Sequence, residues 1–239
     1  IDGDLSDWDL SGVESAWIAD ELADVQVCNL YMMYDNQFLY VASDMKLYDH
    51  EYTNPNRPED RYWRGDLLQL RLSTDKSLPW PLPRKKDNPL YVKNDKVTCV
   101  NMWRNTLTNQ DCIYITPGAN FDCTNTLNPD GSKIFIKPYN KAFKLEARIP
   151  WKALGVKDGK NPFSPGEMMT ACLDIKWMPG LDGHFAAMIF AQDPGAFAFL
   201  NVNTWGRIKF LTEGNLKRKI VTPEEIAQAA RHRKESEQT

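Results

Sequence analysis

Hydrophobic and polar positions along this chain alternate with a period of two far more often than with a helical period. Leu67 to Ser73 is the clearest case, with Leu68, Leu70 and Leu72 on one side and Gln69, Arg71 and Ser73 on the other. Phe143 to Ile149 repeats it: Phe143, Leu145, Ala147 and Ile149 alternate with Lys144, Glu146 and Arg148. Such alternation predicts strands of a half-solvated antiparallel sheet. Val25 to Tyr34 also alternates, with Val25, Val27 and Tyr31 on one side. Asp35-Asn36-Gln37 carries turn chemistry, and Phe38 to Ala42 returns as a buried strand, so a hairpin is expected here. Further strands are predicted at 97–103, 112–116, 133–137, 168–177, 184–190 and 207–211. Roughly ten strands suffice for two packed sheets.

Helix is scarce. Pro150 to Gly155 has proline at its start and glycine at its end, which predicts one or two helical turns. Thr222-Pro223-Glu224-Glu225 reads as an N-cap, a proline at the first helical position and a glutamate at the third. Ile226, Ala227, Ala229 and Ala230 then form a weak apolar stripe that dissolves into a charged tail. The expected organisation is a β-sandwich over 1–214 and a C-terminal helix or linker over 215–239. Two long loops interrupt the strands. Residues 49–64 contain Asn54-Pro55-Asn56-Arg57-Pro58, and residues 75–90 contain Leu78-Pro79-Trp80-Pro81-Leu82-Pro83. Prolines there stop strand pairing, and loops of this length in a compact domain tend to carry function.

Composition narrows the function classes. The chain has 239 residues, 42% of them hydrophobic, enough for one large core. A net charge of -3 argues against a nucleic-acid partner, which requires a clustered positive field. No apolar run approaches the length of a membrane span. No secretory leader precedes the opening motif, so the expected origin is a mature or excised segment of a longer chain. Five cysteines are too few for a disulfide scaffold. Cys28, Cys99 and Cys172 sit in apolar alternating runs and read as buried thiols, while Cys112 and Cys123 are near enough in sequence to close a loop. Catalytic signatures are missing: there is no G-x-S-x-G, no H-E-x-x-H and no phosphate-cradling glycine loop. Three histidines leave little room for a metal-hydrolase site.

The eight tryptophans are more telling. A pyranose offers an apolar C–H face to a flat ring and a rim of hydroxyls to planar polar groups. Trp8, Trp151 and Trp205 stand beside strand entries in apolar contexts and read as core. Trp177 ends a strand. Trp63 and Trp80 lie in the long loops, where one of them is expected to face solvent as a platform.

With these features in place, residues 1–211 resemble the family 9 carbohydrate-binding modules. The resemblance rests on Ile1-Asp2-Gly3 with Trp8, on Phe38-Leu39-Tyr40-Val41-Ala42, and on Trp63 before Gly65-Asp66-Leu67-Leu68-Gln69-Leu70. Leu145-Glu146-Ala147-Arg148-Ile149-Pro150-Trp151 and Trp205-Gly206-Arg207-Ile208 complete it. It implies a non-catalytic, all-β module of two antiparallel sheets, jelly-roll or immunoglobulin-like, that binds a glycan as part of a larger extracellular or periplasmic protein. In the sugar-binding members, a tryptophan just before the G-D strand forms one wall of the ligand slot, and Trp63 holds that place. A late aromatic forms the opposite wall, for which this chain offers Phe197 and Phe199. An acidic residue on the strand after the tryptophan takes sugar hydroxyls; Gln69 stands there, with Arg71 two residues on. An arginine and an asparagine on the next strand complete the site. Asn101 keeps its place, but Cys99 stands where the arginine would be. The resemblance also implies structural calcium. Asp2, Asp4, Asp44 and Asp49, with Asp7 and Asp9 nearby, are the candidate oxygen donors.

Two other readings stay open. The haem-carrying subunit of ethylbenzene dehydrogenase-like enzymes uses a similar sandwich, with Met102, Met178 or Met188 as candidate axial ligands here. A structural or assembly domain with a decayed ligand slot would fit the missing arginine.

Overall fold

The period-two segments become strands close to their expected bounds. The computed structural model describes residues 1–17, 27–47, 50–59, 62–80, 97–116, 125–177, 185–189 and 205–212. Its strands are β1 (Glu14–Trp17), β2 (Val27–Tyr34), β3 (Phe38–Lys46), β4 (Leu67–Ser73), β5 (Val97–Asn105) and β6 (Gln110–Thr116). They continue with β7 (Thr126–Leu127), β8 (Lys133–Tyr139), β9 (Ala142–Pro150), β10 (Met168–Trp177), β11 (Phe185–Ile189) and β12 (Gly206–Lys209). One sheet has the order β1-β2-β3-β9-β8. The other has the order β11-β10-β4-β5-β6-β7, with β12 beside the first half of β10. Every recorded pairing is antiparallel. The protein is an all-β sandwich.

The apolar halves of the alternating strands meet between the sheets. Leu30, Leu39, Val41, Met45, Phe143, Leu145, Ala147 and Ile149 from one sheet face Leu68, Leu70, Leu72, Val100, Met102, Ile113 and Leu173 from the other. Met102 is fully buried in this core, where its thioether packs among the aliphatic side chains of both sheets. Trp151, Phe163 and Phe210 close one end, with Phe163 and Phe210 stacked at 4.5 Å.

The hairpin β2–β3 is fixed by Asp35. Its Oδ1 accepts from the backbone N–H of Gln37 and of Phe38 at 2.7 Å each, and its Oδ2 accepts from the Tyr40 hydroxyl at 2.8 Å. That is the Asx-turn chemistry expected of the sequence. Residues 150–155 differ from expectation. They form successive turns closed by bonds from Ala153 to Pro150, Leu154 to Trp151 and Gly155 to Lys152. Gly155 at φ +88 ends the run before an α-helix can form.

The outer face of the β1-containing sheet is not solvated, contrary to the alternation. Residues 1–13 cross it, and Leu5 and Trp8 pack there against Tyr31 and Ala42. Gly3 has φ +93, and a Cβ on it would lie 2.5 Å from the Phe135 ring. The neighbouring Asp2 N–H donates to the buried Glu146 carboxylate at 2.9 Å. The opening Ile1-Asp2-Gly3 is thus a packing motif.

Cys28, Cys99, Cys112 and Cys172 are buried. Cys123, the expected partner of Cys112 in a loop-closing bridge, lies outside the described residues. Burial pushes the Cys28 thiol up to about 12 and the Cys112 thiol up to about 11. No helix among the described residues is long and apolar enough to cross a membrane. The expected C-terminal helix at 215–239 lies outside the described residues.

Candidate functional site

The outer face of the β4-containing sheet carries the polar halves of β4, β5 and β6. Register sets their neighbours. Gln69 pairs with Asn101 and Arg71 with Cys99 across β4–β5; Asn101 pairs with Tyr114 and Cys99 with Thr116 across β5–β6. Five of these residues form a relay of hydrogen bonds. Arg71 Nη2 donates to Gln69 Oε1 at 2.6 Å, and Gln69 Nε2 donates to Asn101 Oδ1. Asn101 Oδ1 also accepts from the Cys99 thiol at 3.4 Å, while Asn101 Nδ2 donates to the Tyr114 carbonyl at 2.9 Å. A guanidinium only donates, so Gln69 must turn its oxygen to Arg71 and its amide hydrogens to Asn101. Gln69 and Asn101 are buried, and Arg71 is half-buried above them. The two amides thus serve as a foundation that aims the guanidinium.

The relay also answers the missing arginine at position 99. Arg71 is the cross-strand neighbour of Cys99, so a guanidinium stands one strand over at the same level of the face.

Trp63 rises beside this face from a single 3-10 turn, Tyr62–Arg64, and its side chain is 42% exposed. Tyr62 beneath it is buried, edge-on to Trp63 at 5.2 Å and stacked on the buried Trp103 at 5.2 Å. Burial, with the Cys99 thiol nearby, raises the Tyr62 hydroxyl well above its ordinary range, while Arg71 pulls the other way. The hydroxyl stays neutral and remains a donor.

The turn is held by the long 49–64 loop, which is built from side-chain bonds to backbone. Asn54, fully buried, donates from Nδ2 to the Tyr62 carbonyl at 3.1 Å and the Asp66 carbonyl at 3.2 Å. Gly65 is required there: a Cβ would fall 2.2 Å from Asn54 Cγ. The buried Asp66 carboxylate accepts from the Thr53 N–H at 2.8 Å and lies 3.0 and 3.2 Å from His50 Nε2. The other end of the loop is pinned to the β5–β6 hairpin, where Thr106 N–H donates to the Asn54 carbonyl at 2.9 Å. Asn105 Nδ2 and Trp103 Nε1 both donate to the Asn56 carbonyl at 3.1 Å. Sequence reading passed over Asn54, His50 and Asp66 as loop residues. The signal that could have found them is the Gly65-Asp66 pair, whose glycine needs a close neighbour.

The remaining candidates fall elsewhere. Trp177 ends β10 opposite Phe185. Phe197 and Phe199 lie outside the described residues, as do Met178, His184 and Asp49. Trp80 is half-buried, with its Nε1 donating to the Trp205 carbonyl at 2.7 Å and the Arg207 guanidinium 4.6 Å above its ring.

The carboxylates considered for calcium hold local turns. Asp2 Oδ1 accepts from Asp4 N–H at 3.0 Å and Asp4 Oδ1 from Ser6 N–H at 2.9 Å, while Asp44 Oδ1 accepts from the Tyr139 hydroxyl. Among the described residues no three His, Cys, Asp or Glu side chains stand together as a metal site. The donors described thus do not fit a multidentate hard cation. A separate pocket of about 500 Å³ opens at the end of the sandwich, lined by Met32, Met169 and Phe210 but also by Asp9, Arg207 and Lys209.

Comparison with solved structures decides the architecture. A family 9 carbohydrate-binding module from Caldicellulosiruptor kristjanssonii, in complex with cellotriose, superimposes with a TM-score of 0.52 at 16% identity, covering 91% of each chain. The chain has the family 9 module fold. The glucose complex of a module from that organism gives a TM-score of 0.52 over 90% of this chain and 92% of that one, again at 16% identity. A candidate carbohydrate-binding protein from Bacteroides uniformis gives 0.50 at 10% identity, over 83% and 87%. No protein-family profile and no curated protein matches the sequence. The family 9 fold is therefore shared at a level of sequence likeness that leaves the ligand to be argued from the side chains.

Proposed function

We propose that this chain is a non-catalytic sugar-binding module that takes a pyranose against Trp63, with Arg71 donating to the sugar's hydroxyl rim. One observation carries the reading: an exposed indole stands edge-on to Tyr62, and the Arg71 guanidinium, held from below by two buried amides, neighbours the same tyrosine. An exposed tryptophan loses hydration favourably only when something flat covers it. The family 9 fold supports the choice of ligand, since modules of that fold are known in complex with cellotriose and with glucose. Gln69 and Asn101 act through Arg71, because burial leaves their polar atoms engaged with each other and with the guanidinium. Phe197 or Phe199 is the proposed opposite wall. The setting we propose is an extracellular or periplasmic one, with the module attached to other domains of a longer parent chain.

Calorimetry against glucose, cellobiose and cellotriose tests the reading. The intact chain binds at least one of them. Trp63→Ala weakens that binding by about 2 kcal/mol, roughly thirtyfold, as expected for a central aromatic anchor. Unchanged affinity in Trp63→Ala refutes the site.

A further inference from the structure

The exposed indole of Trp63 is not fixed by its own burial, so its direction must come from the backbone that carries it. That backbone is moulded from one side. The carbonyls of Tyr62 and Asp66, which flank the Trp63-Arg64-Gly65 segment, are both held by the single amide of Asn54. Asn54 Oδ1 is occupied in turn by the backbone and side-chain N–H groups of Asn56, each at 3.2 Å. Asp66 adds a two-point clamp to Thr53: Thr53 N–H donates to its carboxylate, and its own N–H donates to the Thr53 carbonyl at 2.9 Å. His50 covers the remaining side of that carboxylate, with Nε2 within reach of both oxygens. Asp66 is fully buried and His50 is 16% exposed, so the pair is shielded from solvent screening.

From this geometry we infer that His50, Asp66 and Asn54 are positioning residues for the Trp63 platform. They act on ligand affinity without touching the ligand. The inference rests on the sugar-binding reading for its affinity consequence, but its structural consequence can be read without any sugar. His50 is the informative position. It stands at the rim of the buried clamp, so its substitution perturbs the clamp while leaving the sandwich core intact.

The experiment uses the full chain labelled with fluorotryptophan, with the Trp63 fluorine resonance assigned by its disappearance in Trp63→Phe. His50→Ala moves or broadens the Trp63 resonance and lowers affinity for cellotriose about tenfold, the size of one lost hydrogen bond to a charged group. His50→Gln, whose amide N–H can donate to the same carboxylate, restores both. Asn54→Asp replaces the donor between two carbonyls with an acceptor and gives a larger change of the same kind. If Asn54→Asp fails to fold, the two His50 variants decide alone. A Trp63 resonance and an affinity unchanged in His50→Ala overturn the inference, as does a lowered melting temperature with no change at Trp63. Should the intact chain bind no sugar of the panel, the sugar reading falls and the fluorine resonance alone judges the positioning role.

Discussion

Gln69 illustrates how a single side chain can be legible in its place but not in its duty. The resemblance put it at the level of an acid that takes sugar hydroxyls. The structure buries it between Arg71 and Asn101, with its oxygen turned to one and its amide hydrogens to the other. This arrangement gives a sharp prediction. Gln69→Glu improves the charge partner of Arg71 but sets a carboxylate oxygen against Asn101 Oδ1. Asn101 must then flip, and the Tyr114 carbonyl loses its donor. One unpaired buried polar group costs about 1–3 kcal/mol. Gln69→Glu is therefore expected to lower stability by that amount in urea denaturation and to loosen Arg71, while Gln69→Met loses the relay without the repulsion and falls less. The buried state of Gln69 was not readable from the alternation, which assigns a polar strand residue to solvent. Its polar atoms are satisfied by polar neighbours, and the pairing with Asn101 depends on a register no single strand reveals.

At the level of elements, strand positions were read well because period two is imposed locally by the pleat. β4 and β9 were plain for that reason. β1 and β7 were not foreseen. β7 is two exposed residues, Thr126–Leu127, too short to show any period. The 150–155 segment had helix punctuation at both ends, yet Gly155 comes too soon for an α-turn to propagate. The 49–64 loop was recognised as long and proline-rich, but its order comes from contacts with β5 and the β5–β6 hairpin, which sequence proximity cannot supply. The β2–β3 hairpin makes stability depend on pH. Burial works to raise the Asp35 carboxyl, but the N–H groups of Gln37 and Phe38, the Tyr40 hydroxyl and Arg148 outweigh it, so the group titrates below its ordinary value. A depressed folded value contributes stability above the unfolded carboxylate pKa, near about 4. That contribution is lost as pH falls through the lower, folded value. Asp35→Asn keeps an acceptor for the two N–H groups and lacks the titration. Its melting temperature is expected to fall less than that of the wild type as the buffer goes from pH 5 to pH 2.

Over the whole molecule, the two outer faces of the sandwich are treated differently. The sheet containing β3 and β9 is roofed by residues 1–13, and the sheet containing β4 and β5 supports the Trp63–Arg71 site. The roof gives so conspicuous an opening motif a packing role. Its glycine is pressed onto Phe135 in a left-handed conformation. Gly3→Ala is therefore expected to detach the segment, exposing Trp8 and lowering stability by at least about 1 kcal/mol. Trp8→Ala should lower it by about 3–5 kcal/mol. Neither change should alter sugar affinity at Trp63, and measuring both quantities on each variant checks that the roof and the site are independent.

The four sheltered thiols have a practical outcome. A reagent that alkylates cysteine can reach them only when the fold opens, and the raised thiol values of Cys28 and Cys112 slow the reaction further at those two. The protein thereby carries its own reporters of local opening. Cys28 lies between the sheets, Cys112 packs with Tyr62 and Trp103, and Cys99 lies opposite Arg71 across β4–β5. Modification rates at these sulfurs, followed side by side, would map which part of the domain breathes first.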